Sequence, residues 1–160
     1  MNRSIAPDGL EKALGALALA MFGFVVVAVA RGIDEWARIP AIIWLHLVLI
    51  CLALALTPVL LWRRRGTAGH RALGYVWAAA MLSTAVASLF VKTINPGHFS
   101  PIHILSVITI IAVPALVFAA RSHKVDKHRR SVRNLIVGAL LVAGFFTFPF
   151  GRMLGHWLLG

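Results

Sequence analysis

Residues 44–90 read WLHLVLICLALALTPVLLWRRRGTAGHRALGYVWAAAMLSTAVASLF, and their pattern decides the fold. An apolar run with one histidine, His46, near its start leads into a basic loop, and a second apolar run follows the pair His70 and Arg71. Each run is close to the roughly 20 residues that a helix needs to cross a hydrocarbon core. The stretch therefore predicts two membrane-spanning helices that a short loop joins into an antiparallel hairpin.

The chain then repeats this hairpin. The matching pairs are His46 with His103, Arg64 with Arg121 and, after one extra loop residue, His70 with His128 and Arg71 with Arg129. A repeat of this length constrains the architecture before any single motif does. We therefore divide one membrane domain into an N-terminal helix with its outer loop (1–39), a first hairpin repeat (40–91) and a second hairpin repeat (101–150).

Composition agrees with a membrane protein, since 60% of the 160 residues are hydrophobic and soluble domains have about half. Uncharged runs cover Ala13–Ala30, Ile39–Trp62, Ala72–Val91, Thr93–Ala120 and Asn134–Gly151. The predicted fold class is all-α and integral to the membrane. Its five transmembrane helices comprise an N-terminal helix, which is too long for a signal peptide, and a four-helix bundle made of two tandem hairpin repeats.

The net charge of +11 is distributed unevenly. In the five-span topology, all the lysines and arginines lie on one side except Arg31, Arg38, Lys92 and Arg152. The positive-inside rule then places the N-terminus in the cytoplasm and the C-terminus outside, in a bacterial inner membrane. Anionic lipid beside the basic loops accounts for their charge, so the partner is the bilayer and no nucleic acid is expected.

Histidines at matched depths suggest a cofactor. His46 and His103 lie near the outer face, His70 and His128 at the inner face, and in a four-helix bundle each pair faces across a diagonal. That diagonal is about 13 Å for helices packed 8 to 10 Å apart, which leaves room for one metal atom between two imidazoles. The pairs therefore predict one or two haem b groups, and Arg71, Arg129 and Arg152 are candidate partners for their propionates.

Other roles for the four histidines remain open. His46 and His103 could form hydrogen bonds to a neighbouring helix, and a His-Arg pair at a helix end is a common interfacial anchor. Duplication also preserves residues through ancestry alone. Three histidines have no counterpart in the repeat and are assigned to solvated loops: His98, His123 and His156.

Three functions follow. The leading hypothesis is a bis-histidine haem b transmembrane electron carrier. The second is a haem-free scaffold or accessory subunit, which docks a membrane partner or a second copy through the first helix. The third, a histidine-based proton-coupled transporter, is least favoured because the apolar runs contain no Asp or Glu. The sequence contains no hydrolytic or phosphoryl-transfer motif.

Four strings carry a family resemblance: SPIHILSVITI (100–110), AARSHKVDKHRRSVRNLIVGALLVAGFFTF (119–148), HRALGY (70–75) and GR (151–152). Together they resemble the bacterial predicted membrane proteins grouped as domain of unknown function 2306, from about His46 onward. This resemblance implies a topology rather than an activity.

A more distant similarity is to the ascorbate-reducible, di-haem b-type transmembrane cytochromes, in which helices alternate in ligating an outer and an inner haem. HRALGY is similar to the His-x-x-Leu-Gly opening of that group at His70, Leu73 and Gly74. The second copy departs from it, because no glycine stands at the matching position after His128. The departure weakens the inner haem most.

Overall fold

The computed structural model describes residues 6–91, 102–149 and 151–160, and in these ranges the chain is helical without a β-strand. The α-helices are α1 (Gly9–Arg31), α2 (Ala41–Trp62), α3 (Ala68–Ser88), α4 (Ile102–Arg121), α5 (Val125–Leu135), α6 (Ala143–Phe145) and α7 (Met153–Leu159). A 3-10 helix (Ile33–Arg38) follows α1, and a π-helix (Ile136–Val142) joins α5 to α6. The all-helical fold class is confirmed. The predicted outer loop at 92–100 and the ends of the second repeat, Pro101 and Phe150, lie outside the described residues.

Two carboxylates begin α1. The Glu11 backbone N–H donates to the Asp8 carboxylate (2.9 Å), and the Asp8 N–H donates to the Glu11 carboxylate (3.1 Å). This reciprocal capping box satisfies backbone donors that the first turn of a helix leaves unpaired. The start of α1 is therefore determined by local hydrogen bonds.

The first hairpin comprises α2 and α3. The Thr67 hydroxyl caps α3 by accepting from the His70 N–H (3.1 Å), so this helix begins at Ala68, two residues before the His70 and Arg71 pair. Inside α2, Pro58 lacks the N–H that would continue the helical ladder. Next to it, the Thr57 hydroxyl donates to the Ala53 carbonyl (2.7 Å) and accepts from the Trp77 indole (2.9 Å). A buried side-chain bond thus joins the two helices beside the proline.

The second hairpin is less regular than the sequence predicts. Its last segment begins at Val125, nine residues before the uncharged run at Asn134, and changes at Ile136 from α- to π-helix. The N–H of Ala143 reaches back five residues to the Gly138 carbonyl, as the wider π-turn requires. Residues 153–159, which lie beyond the last predicted span, form α7.

The first helix belongs to the bundle. α1 packs along α2 on one side and against the π-helix and α7 on the other, while α3 packs on α2 and α4, and α4 on α5. The α1 residues Leu14, Ala18, Val25 and Ala28 are buried and form one helical stripe. The helices therefore form a ring of five segments, which differs from the predicted four-helix bundle with a separate α1. The apolar α1 can join the bundle because close packing of small and branched side chains does not require a polar residue.

The ring has two distinct ends. We call the basic end the one at which α1, α3 and α5 begin and α2 and α4 end; there Arg65 and Arg129 contact Glu11. At the far end, the Arg31 side chain donates to the Leu158 carbonyl, and the rings of Trp36 and Trp44 lie 5.1 Å apart. Successive long helices therefore alternate in direction.

Three helical stretches are long and apolar enough to cross a membrane: Gly9–Arg31, Ala41–Trp62 and His103–Arg121. Within their most apolar windows only 28–33% of the residues are buried, so most of the apolar side chains are at least partly exposed. Soluble proteins rarely expose apolar surface on this scale. The helices therefore suit contact with lipid, and the chain is membrane-associated.

Candidate functional site

His46 stands on the inward face of α2 with a defined orientation. Its Nδ1 lies 3.2 Å from the Thr84 carbonyl on α3. Because a carbonyl oxygen only accepts, Nδ1 carries the proton and the lone pair remains on Nε2. This arrangement, with Nδ1 bonded to a backbone carbonyl, is typical of histidines that ligate a metal through Nε2.

A cavity of about 650 Å³ lies beside His46, in the half of the ring towards the far end. This volume is within the usual range for cofactor and small-molecule sites. Most of its wall is apolar, with contributions from α1, α2, α3, α4, α6, α7 and the π-helix. The polar side chains in the wall are His46, Thr84, Ser88, Ser106, Thr109, Thr147 and Arg152.

Small residues on the last segment leave space for this cavity. Ala139 in the π-helix and Ala143 and Gly144 in α6 line one side. A π-helix widens the turn and displaces the residues that follow it relative to a regular α-helix. Such segments are frequent at functional sites.

His103 is buried, at 5% exposure, near the start of α4. It lies three residues before Ser106 and so on the same side of the helix. Among the described residues, Ser106 and Thr109 are in the cavity wall and His103 is not. The structure therefore places the two predicted outer ligands on either side of α3, with His46 at the cavity and His103 next to its α4 wall.

His70 and His128 both lie at the basic end. The Nδ1 of His128 lies 3.2 Å from the Leu116 carbonyl and donates to it, which leaves Nε2 as its acceptor. The buried Nδ1 of His70 has no hydrogen-bond partner among the described residues.

The three candidate arginines have different surroundings. Arg152 is in the cavity wall. Arg71 donates to the Gly66 carbonyl (2.8 Å). Arg129 is engaged by carboxylates: its Nε lies 2.6 Å from Glu11 Oε1, and one terminal nitrogen lies 2.9 Å from Asp8 Oδ2. Of the three, only Arg152 lies beside the cavity.

Sequence reasoning missed the role of Glu11, which is 1% exposed. Arg65 from the first loop and Arg129 and Arg133 from α5 all bond to its carboxylate, and Arg129 and Arg133 also bond to Asp8. We call these five residues the clamp. The spacing of Asp8 and Glu11 was a signal for a capping box, but only folding brings the three arginines to it.

Among the described residues, no three His, Cys, Asp or Glu side chains are grouped to hold a metal ion. A haem iron needs only one or two protein ligands, so this finding concerns other metal centres. Comparison of the chain with family models, curated proteins and solved structures finds no match in any of the three.

Proposed function

We propose that this chain is a five-crossing inner-membrane protein with its basic end in the cytoplasm. In addition to the three apolar spans, α3 has 21 residues, or about 32 Å at 1.5 Å per residue. Its only arginine, Arg71, stands in the first turn, where it reaches the interface. The segment at 125–149 returns to the far end and supplies the fifth crossing.

We further propose that the protein carries electrons through haem b held in the cavity. The observation that supports this best is His46: its Nδ1 is bonded to a carbonyl, its Nε2 is available, and it stands in the wall of a cavity of about 650 Å³. The apolar wall suits a macrocycle, and Arg152 offers a two-pronged partner for a propionate. His103, which lies beside the α4 wall of the cavity, would be the second residue to hold the haem iron. Bound haem would supply one-electron redox chemistry.

The outer site is the stronger of the two predicted haem sites. At the basic end, Arg129 already pairs with Asp8 and Glu11, so it is not available to a propionate. His70 and His128 stay a predicted second pair, and both lie at the basic end. We therefore expect one haem per chain. The resemblance to the two families named above rests on the residue strings alone.

The test is a reduced-minus-oxidised absorbance spectrum of protein purified from haem-replete cells. We expect Soret and alpha bands at about one haem per chain, and we expect both His46→Ala and His103→Ala to lose them. His156→Ala is the matched control, because this side chain is 64% exposed on α7, and it should keep full haem. A colourless wild-type protein, or equal haem in all three variants, would remove the proposal.

A second variant tests the cavity without touching a histidine. Gly144 lines the cavity, and a Cβ added there would lie 3.5 Å from Met21, an ordinary contact. Gly144→Leu should therefore fold but fill the cavity and lose haem. Gly23→Leu, at a position with open space around it, should keep haem. A colourless protein that co-purifies with partners would favour the scaffold hypothesis. Flux in liposomes that depends on pH would favour the transporter hypothesis.

A further inference from the structure

A groove on the outside of the ring, lined by apolar side chains and Arg121, has no part in the proposed electron transfer. It runs between α3 and α4 and has a volume of about 440 Å³. Ala78 and Val113 are buried at its base, whereas Tyr75 and Phe118 are 52% and 68% exposed at its sides. The groove faces away from the cavity, towards the surroundings of the bundle.

The groove lies along the membrane normal in the proposed orientation. Tyr75 and Leu82 in its wall are seven residues apart on α3, a rise of about 10 Å. Because α4 is antiparallel, Pro114 lies at the Leu82 end and Arg121 at the Tyr75 end. An apolar channel of this direction and size fits an acyl chain that extends from the basic end towards the bilayer centre.

Cationic side chains stand where the headgroup of such a lipid would be. Arg121 is in the groove wall at the basic end and makes no hydrogen bond or ion pair with the residues that the structure describes. Arg71 lies four residues before Tyr75, on the same face of α3, and is exposed. Basic pockets between transmembrane helices on the cytoplasmic side bind anionic headgroups.

We infer that this groove binds one anionic phospholipid of the cytoplasmic leaflet. An acyl chain lies against Ala78, Ala79 and Val113, and the phosphate pairs with Arg121 and Arg71. The inference rests on the proposed membrane orientation but not on haem. It also assigns Arg71 to lipid rather than to a propionate.

Native mass spectrometry of the full chain, extracted from equal mixtures of phosphatidylglycerol and phosphatidylcholine, tests the site. We expect one phosphatidylglycerol retained in preference to phosphatidylcholine. Arg121→Gln should weaken its retention about fivefold, since one basic residue near anionic lipid contributes about 1 kcal/mol. Arg64→Gln is the matched control, an exposed arginine at the same end but away from the groove, and it should have little effect.

A steric variant distinguishes a defined lipid-binding site from diffuse electrostatic attraction of lipid. Ala79→Trp fills the groove at an exposed position and should reduce retention of both lipids, while the unfolding temperature shows that the bundle is intact. Equal losses in Arg121→Gln and Arg64→Gln, equal retention of both lipids, or an unaffected Ala79→Trp would overturn the inference. His46→Ala should retain the lipid even if it loses haem, so failure of the two proposals can be distinguished.

Discussion

Thr57 and Trp77 form a buried hydrogen bond in the middle of the bundle, next to Pro58. The hydroxyl both accepts from the indole and donates to the Ala53 carbonyl, so it satisfies the only polar atom of the Trp77 side chain. A buried N–H without an acceptor is expensive because neither lipid nor protein replaces the lost partner. One hydroxyl therefore stabilises the packing of α2 on α3.

Replacing Thr57 with valine should destabilise the protein. Valine keeps the shape but removes the acceptor, and the stranded Trp77 N–H should lower the free energy of unfolding by about 1 to 3 kcal/mol. Thr57→Ser keeps the hydroxyl and should lose less. Denaturant titration in detergent, followed by tryptophan fluorescence, measures the difference. Equal stability of the two variants would contradict this role.

At the scale of elements, the clamp attaches α1 to two other parts of the chain. It joins the first turn of α1 to the loop between α2 and α3 and to α5, all at the basic end. The Glu11 N–H and, after it, Arg133 hold the pKa of Asp8 below its ordinary value, so this carboxylate stays charged in mild acid. Without the carboxylates, three arginines would face one another with no counter-charge.

Glu11→Gln separates charge from capping. Glutamine keeps an oxygen that can accept from the Asp8 N–H, but it removes the charge that the three arginines surround. Breaking a buried ion pair by removing one partner costs about 3 to 5 kcal/mol, so we expect a large fall in unfolding temperature and easier proteolysis near the start of α1. Glu35→Gln, exposed at the far end, is the control. If both variants unfold alike, the clamp is not stabilising.

The cavity is also a property of elements rather than of single residues. Seven helical elements supply its wall, and the change from α- to π-helix sets where Ala139, Ala143 and Gly144 fall around it. α7 closes the far end: Met153 and Leu154 line the cavity, and the Trp157 ring packs directly on Gly32, where no side chain would fit. The site therefore depends on the C-terminal segment as well as on the repeats.

The whole molecule is polarised along the direction of its helices. Among the described residues, basic side chains concentrate at the end where the clamp lies, and the far end holds Arg31, Arg38 and Arg152 together with Asp34 and Glu35. In a membrane this asymmetry sets orientation. Five crossings would put the two termini on opposite sides.

Reporter fusions check this topology. Alkaline phosphatase fused after Gly66 should be inactive, and the same enzyme fused after Gly160 should be active, because only the latter would lie outside the cytoplasm. Fusions to green fluorescent protein should give the opposite pattern. An inactive phosphatase at Gly160 would indicate an even number of crossings, and α3 or the segment at 125–149 would then not span the bilayer.

Periodic and compositional features of the sequence were sufficient for the helical class, the apolar runs and the basic loops, because burial in lipid and charge at the interface act on each segment separately. They did not reveal that α1 closes the ring, that the last segment contains a π-helix, or that α7 covers the cavity. Those features depend on which helix faces pack against each other in the folded protein. Glu11 shows the difference well: its neighbours in the sequence make it a capping residue, and only the meeting of three distant arginines makes it the centre of the clamp.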